Sequence, residues 1–156
     1  MNPTALPIDP AIPRAALVTG AGRRLGRVMA LALAGAGFAV GVHCNKSRAE
    51  AEETVRLIEA TGGHAVVLPA DLAQEATLAP LMEAAAAALG PLGVLVNNAS
   101  RFERDEWHDA TRASWDAHMG ANLRAPFVLT QEFARALPGA ARGVVVNMLD
   151  QRVWSL

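Results

Sequence analysis

The chain has 156 residues, 52% of them apolar, with a formal net charge of −1 and a single cysteine. That length and apolar content suit one domain with a real core, and the near-neutral charge argues against a general binder of nucleic-acid backbone while leaving room for a local basic site. Cys44 alone permits no internal disulfide, which fits a reducing, cytoplasmic setting, and no apolar run reaches the ~18 residues of a membrane-spanning helix.

In chain order, Met1 to Arg14 carries Pro3, Pro7, Pro10 and Pro13 and lacks the apolar stretch of a signal peptide. Residues 1–13 therefore read as a flexible, extended arm, and 14–156 as one domain. Ala15-Ala16-Leu17-Val18 is a short apolar run before Thr19-Gly20, the pattern of a buried strand. A glycine-rich turn follows, then helical spacing from Leu25 to Ala36, closed by Gly35 and Gly37. Phe38 to Val42 predicts a second strand. Ser47 with Glu50 forms the pattern of a capping box for a helix from Arg48 to about Ala60. Ala65 to Leu68 predicts a third strand, and Thr77 to Leu89 a helix whose Pro80 is tolerable in its first turn. Val94-Leu95-Val96 predicts a fourth strand. A long helix from about Ser114 to Leu137 contains Pro126, which predicts a kink or break. Val144 to Asn147 predicts a fifth strand. Continuous apolar strands alternating with helices indicate a parallel sheet covered on both faces. Right-handed crossovers make it an α/β doubly wound, Rossmann-type fold, with ligands at the carboxyl ends of the strands.

The turn Thr19-Gly20-Ala21-Gly22-Arg23-Arg24-Leu25-Gly26 stands where such a fold binds a pyrophosphate. Glycines let the phosphates approach the amides, and the helix N-terminus adds a partial positive charge. Gly20 and Gly26 are six apart, one more than in the common Gly-x-Gly-x-x-Gly. An ordinary strand-to-helix turn would need no ligand. An NAD-binding site usually places an acid at the end of the second strand. Here the stretch reads His43-Cys44-Asn45-Lys46-Ser47. A 2′-phosphate would meet Lys46, the Ser47 hydroxyl and Arg24, with Arg23 beside it, so the residues favour NADPH over NADH. A solvated basic rim is the alternative.

Thr19-Gly20-x-x-x-Arg24-x-Gly26 resembles the turn of the short-chain dehydrogenase/reductase superfamily, with Arg24 in place of the middle glycine as in its pteridine reductase branch. Asp71-Leu72, Asn97-Asn98-Ala99 and Asn122 follow in the family's order, and the likeness covers nearly all of the chain from Arg14 onward. The resemblance implies a cofactor site of Gly20, Arg23, Arg24, Leu25, Gly26, His43, Asn45, Lys46, Ser47, Asp71, Leu72, Asn98, Ala99 and Ser100. Within it His43 would line the adenosine phosphate site, and Asp71 would touch the adenine with Leu72 supplying backbone. The plainer readings are a polar strand end for His43 and a turn acid for Asp71. Ser100 and Phe102 match substrate positions, where Phe102 would stack on a pterin; a hydrophobic plug is the alternative. Asn122 would hold a proton-relay water, against a surface asparagine. Asp150 matches the branch's catalytic aspartate, against a helix cap.

The family's Tyr-x-x-x-Lys pair should follow Asp150. The chain has no tyrosine, its one lysine is Lys46, and it ends at Leu156. It therefore reads as the amino-terminal portion of a longer reductase, truncated after the fifth strand and inactive alone. Two alternatives stand beside this: a non-catalytic dinucleotide-binding or interaction module, and a 3-oxoacyl-type reductase. The expected partner is a small-molecule substrate, with no nucleic acid, membrane or metal. Full-length relatives imply a homo-oligomer, a tetramer.

Overall fold

The computed structural model describes residues 7–151. Five parallel strands, β1 (Ala15–Val18), β2 (Ala39–Cys44), β3 (Ala65–Pro69), β4 (Val94–Asn97) and β5 (Val144–Asn147), lie in the order β3-β2-β1-β4-β5. The helices α1 (Arg24–Gly35), α2 (Arg48–Glu59), α3 (Leu78–Leu89), α4 (Arg112–Met119) and α5 (Ala125–Ala136) connect them. The strand order reverses between β1 and β4, so their carboxyl ends open a crevice. This is the doubly wound sheet that the alternating pattern predicts.

Strand alternation divides the core in two. Ala15 and Leu17 of β1 point into one cluster with Leu95, the Leu78, Leu81 and Met82 face of α3, and Leu129 and Phe133 of α5. Ala16 and Val18 point the other way, against Val40, Val42, Val94 and Val96 and against Ala30, Ala51 and Ile58 of α1 and α2. All four residues of β1 are buried, which is why that strand carries no polar residue. β5 differs: Val144 and Val146 are each 39% exposed.

Three local expectations change. Ser47 makes no side-chain cap and its backbone is φ −89°, ψ 55°, so the box with Glu50 does not form. The expected long helix starts earlier, at Arg112, where Thr111 and Ser114 form a capping box. It then widens into a π-helical turn over Gly120–Arg124 before α5 resumes. Pro126 is the second residue of α5; its ring would strike a carbonyl one turn back in a regular helix, and the wider turn relieves that contact.

Of the arm, residues 9–12 form a turn, with Ile12 N–H donating to Asp9 O at 3.1 Å and Ala11 N–H to Asp9 Oδ1 at 2.9 Å. Ile8 and Ile12 pack on the α1/α2 side of the core, and Arg142 pairs with Asp9 at 3.0 Å. Residues 1–6, the rest of the arm, and residues 152–156 lie outside the described residues. Among the described residues no helix is long and apolar enough to cross a membrane.

Candidate functional site

Thr19 follows β1 and ties the crevice together. Its buried hydroxyl donates to Val96 O at 3.2 Å and accepts from the amides of Asn98 and Ala99, each at 2.9 Å. The Asn98 side chain donates to Thr19 O at 2.9 Å and Gly20 O at 3.3 Å. The glycine turn is thus fastened to the end of β4. Gly26 has no room for a side chain: a Cβ there would stand 2.2 Å from Gly20 O. Gly20 has φ +65°, which favours glycine. Arg24, in the place of a glycine, also has positive φ, +52°. A left-handed arginine costs roughly 1 kcal/mol, and such strain clusters at functional positions.

Two residues outside the expected set brace this turn. Arg27 donates twice to Gly22 O, at 2.7 and 3.0 Å, and once each to Glu50 O and the Thr54 hydroxyl, both at 3.0 Å. Thr54 is fully buried on the stripe that also holds Ala51 and Ile58. A threonine on a buried helical stripe signals a hydroxyl with a fixed partner, and that signal was readable in α2.

A cavity of about 570 Å³ opens over the carboxyl ends of β2, β3 and β4. Nine of the expected residues line it: Arg23, His43, Asn45, Lys46, Ser47, Asp71, Leu72, Ala99 and Ser100. Gly20, Gly26 and Asn98 build the turn beside it. Arg24 and Leu25 are exposed at the start of α1 and do not line it; Arg23 is the turn's basic residue on the wall.

His43 is on that wall but offers no positive charge. Its Nδ1 accepts from Gly20 N–H at 3.0 Å, so Nε2 carries the hydrogen and donates to Ala70 O at 3.1 Å. Burial lowers its pKa to about 4, outweighing the Ala70 hydrogen bond and the Asp71 charge. The ring stands on the cavity wall as a neutral strut between the ends of β1 and β3. Cys44, next to it, is buried, and burial pushes its thiol up, away from nucleophilic use. Asp71 accepts from Ala73 N–H at 3.1 Å and from the Asn45 amide at 3.2 Å, so its carboxylate closes a turn while lying on the cavity wall. Glu50, expected only as a cap, is on the wall as well, 4.0 Å from Arg23.

A second, more apolar cavity of about 420 Å³ adjoins the first at Ala99 and Ser100. Asn122, Pro126 and Phe127 line it from the helix side, and Asn147, Met148 and Leu149 from beyond β5. Asn97 donates its amide to Asn147 Oδ1 at 2.9 Å, and its own Oδ1 is buried with no hydrogen-bond partner among the described residues. The Asn122 side chain is committed to Arg101, accepting from its N–H at 2.7 Å and donating to its carbonyl at 2.8 Å. His118 adds a tie, accepting from Glu103 N–H at 3.0 Å. The loop after β4 is therefore pinned to α4 and the π turn. Phe102 on that loop is 80% exposed and lines neither cavity. Asp150 is exposed, next in sequence to Leu149. Among the described residues no cluster of three His, Cys, Asp or Glu could hold a metal.

The family profile described as short chain dehydrogenase matches residues 14–150. A short-chain type dehydrogenase/reductase of Picea abies is 32% identical over 149 residues, covering 90% of this chain and 55% of that protein. The chain spans about half the length of the curated relatives it matches. Among solved structures, FolM alternative dihydrofolate reductase 1 from Brucella canis, complexed with NADP, superposes with a TM-score of 0.86. It is 41% identical, over 91% of this chain and 57% of that one. A blue fluorescent protein from a metagenomic library, in complex with NADPH, gives 0.84 at 30% identity, over 91% of this chain and 57% of that one.

Proposed function

The chain belongs to the short-chain dehydrogenase family, and from that premise we propose that it is the NADPH-holding portion of a reductase acting on a pteridine-like substrate or a related carbonyl or imine. The observation that carries this is the wall of the larger cavity: Arg23, Lys46 and Ser47 stand at its β2 edge, with no acid in the stretch that ends β2. Lys46 has no ion-pair partner among the described residues, so its charge is available to a phosphate. The residues fit a dinucleotide. Gly26 and Gly20 let the turn close onto itself and onto Ala99, since a Cβ would stand 2.2 Å from Gly20 O or 3.0 Å from Ala99 Cα, and the N-terminus of α1 that follows suits a pyrophosphate. The NADP and NADPH in the Brucella and metagenomic structures support the same reading.

When bound, NADPH supplies a hydride. The chain's own residues bind and orient. Arg23, Lys46 and Ser47 would hold the 2′-phosphate, with Arg24 exposed at the start of α1 nearby in sequence; Asn45, Asp71 and Leu72 would border the adenine; Asn98, Ala99 and Ser100 would border the sugar and the passage to the second cavity. That cavity would receive the nicotinamide end and the substrate. Ser100 faces it directly, and Phe102 would have to swing inward from solvent to stack on a flat ring. Asn122 contributes by fixing the loop, since its amide is given to Arg101. Asp150 takes part in proton delivery. The pteridine assignment is supported by Arg24, Phe102 and Asp150 at the matching positions, and by the Brucella relative, which is called a dihydrofolate reductase.

A second reading is a dinucleotide-binding module without turnover, since the residues proposed to hold the phosphorylated ribose all lie on this chain. Titration of the chain with NADPH and NADH, followed by nicotinamide fluorescence, tests the shared core of both readings. NADPH should bind more tightly, and no steady oxidation should follow on adding dihydrobiopterin. Tighter binding of NADH contradicts the cofactor assignment, and steady oxidation contradicts inactivity of this chain.

A further inference from the structure

The acid expected to be missing from the adenosine end enters from α2. Glu50 lies in the first turn of that helix and on the wall of the larger cavity. Because the box with Ser47 does not form, the carboxylate is not turned back onto the helix amides. It faces the Arg23 guanidinium at 4.0 Å instead. Its backbone cannot recede: Glu50 O accepts from Arg27 and from Thr54, each at 3.0 Å, and Arg27 also grips Gly22 O of the turn. Of the other acids on this wall, Asp71 is occupied by Ala73 and Asn45, and Glu103 is paired with Arg101 at 2.7 Å. Arg23 thus faces a carboxylate whose backbone is fastened to the turn, with Lys46 on the same wall.

We propose that Glu50 is a specificity-determining residue, which pairs with Arg23 and opposes the 2′-phosphate, so that the chain separates NADPH from NADH less sharply than its basic residues alone would. The proposal rests on the reading of this cavity as the adenosine end of a dinucleotide site. A phosphate drawn to Arg23 must share that cation with the carboxylate or displace it. A ribose with a free 2′-hydroxyl presents a donor, which the same carboxylate can accept. Opposed charges a few ångströms apart at a wet surface change affinity by roughly 3- to 10-fold, and the effect is screened by salt.

The test is the ratio of NADH to NADPH dissociation constants, measured calorimetrically at low salt, with 2′,5′-ADP and 5′-ADP as probes confined to the adenosine end. Glu50→Gln should raise the ratio by roughly 3- to 10-fold, chiefly by tightening NADPH and 2′,5′-ADP. The change should shrink in high salt. Arg23→Gln should lower the ratio, and adding Glu50→Gln to it should produce a smaller gain than in the native background. A ratio that stays put or falls in Glu50→Gln overturns the assignment of Glu50, as does an unchanged ratio in Arg23→Gln. Native chain that binds neither dinucleotide overturns the underlying reading of the cavity instead.

Discussion

His43 shows what position adds to residue type. At a strand end a histidine reads first as a polar edge residue, and only the family resemblance makes it part of the adenosine phosphate site. In the fold both its ring nitrogens hold backbone, and burial keeps it neutral, with a pKa of about 4 against 6.5 for the free side chain. The pH dependence follows. Between those values the unfolded chain binds a proton that the folded chain does not, so stability falls as pH drops from 6.5 to about 4 and is insensitive to this group above 6.5. The loss is on the order of 3 kcal/mol at the lower end. Urea midpoints across that range should show the decline, and His43→Gln, which cannot take the charge, should flatten it. Equal slopes in both proteins would refute the strut. Arg24 was legible by contrast, because its place in the glycine motif singles it out. Its positive φ adds a reason: the chain tolerates a strained arginine where glycine would be relaxed.

At the scale of elements, the strands were plain in the sequence because β1, β2 and β4 are buried on both faces and read as apolar runs. The segment from Arg112 to Ala136 was only half legible. Pro126 announces a disturbance, but whether a helix kinks, breaks or widens depends on what packs beside it. Here it widens into the π turn that carries Asn122 toward Arg101. The absent capping box at Ser47 is similar, since the backbone there follows the contact of the turn with α2 rather than local preference. Asn122→Ala should release the loop after β4. Two hydrogen bonds of about 1 kcal/mol each are at stake, so exchange of the Arg101 amide should speed up at least roughly tenfold while the Val96 amide in β4 is unaffected. Slow exchange at Arg101 in the variant would show that His118 and the neighbouring contacts hold the loop without Asn122.

At the scale of the whole molecule, burial is uneven. β1 and β4 are enclosed, whereas Val144 and Val146 of β5, Trp115 of α4, Leu123 of the π turn and Phe127 of α5 are 39–60% exposed. Apolar surface of this kind favours association. Sedimentation of the purified chain should show mass increasing with concentration, and a monomer at all concentrations would contradict that expectation. The wall of Arg23, Lys46 and Ser47 proposed to hold the 2′-phosphate lies across the crevice, on the β2 side. The most direct measurement is amide chemical-shift mapping of the chain with 2′,5′-ADP. Saturable shifts should be largest at Arg23, Lys46, Ser47 and Ala73, with little change at Val144 to Asn147. No saturable change, or shifts confined to the β5 side, would contradict the claim that this chain holds the phosphorylated dinucleotide.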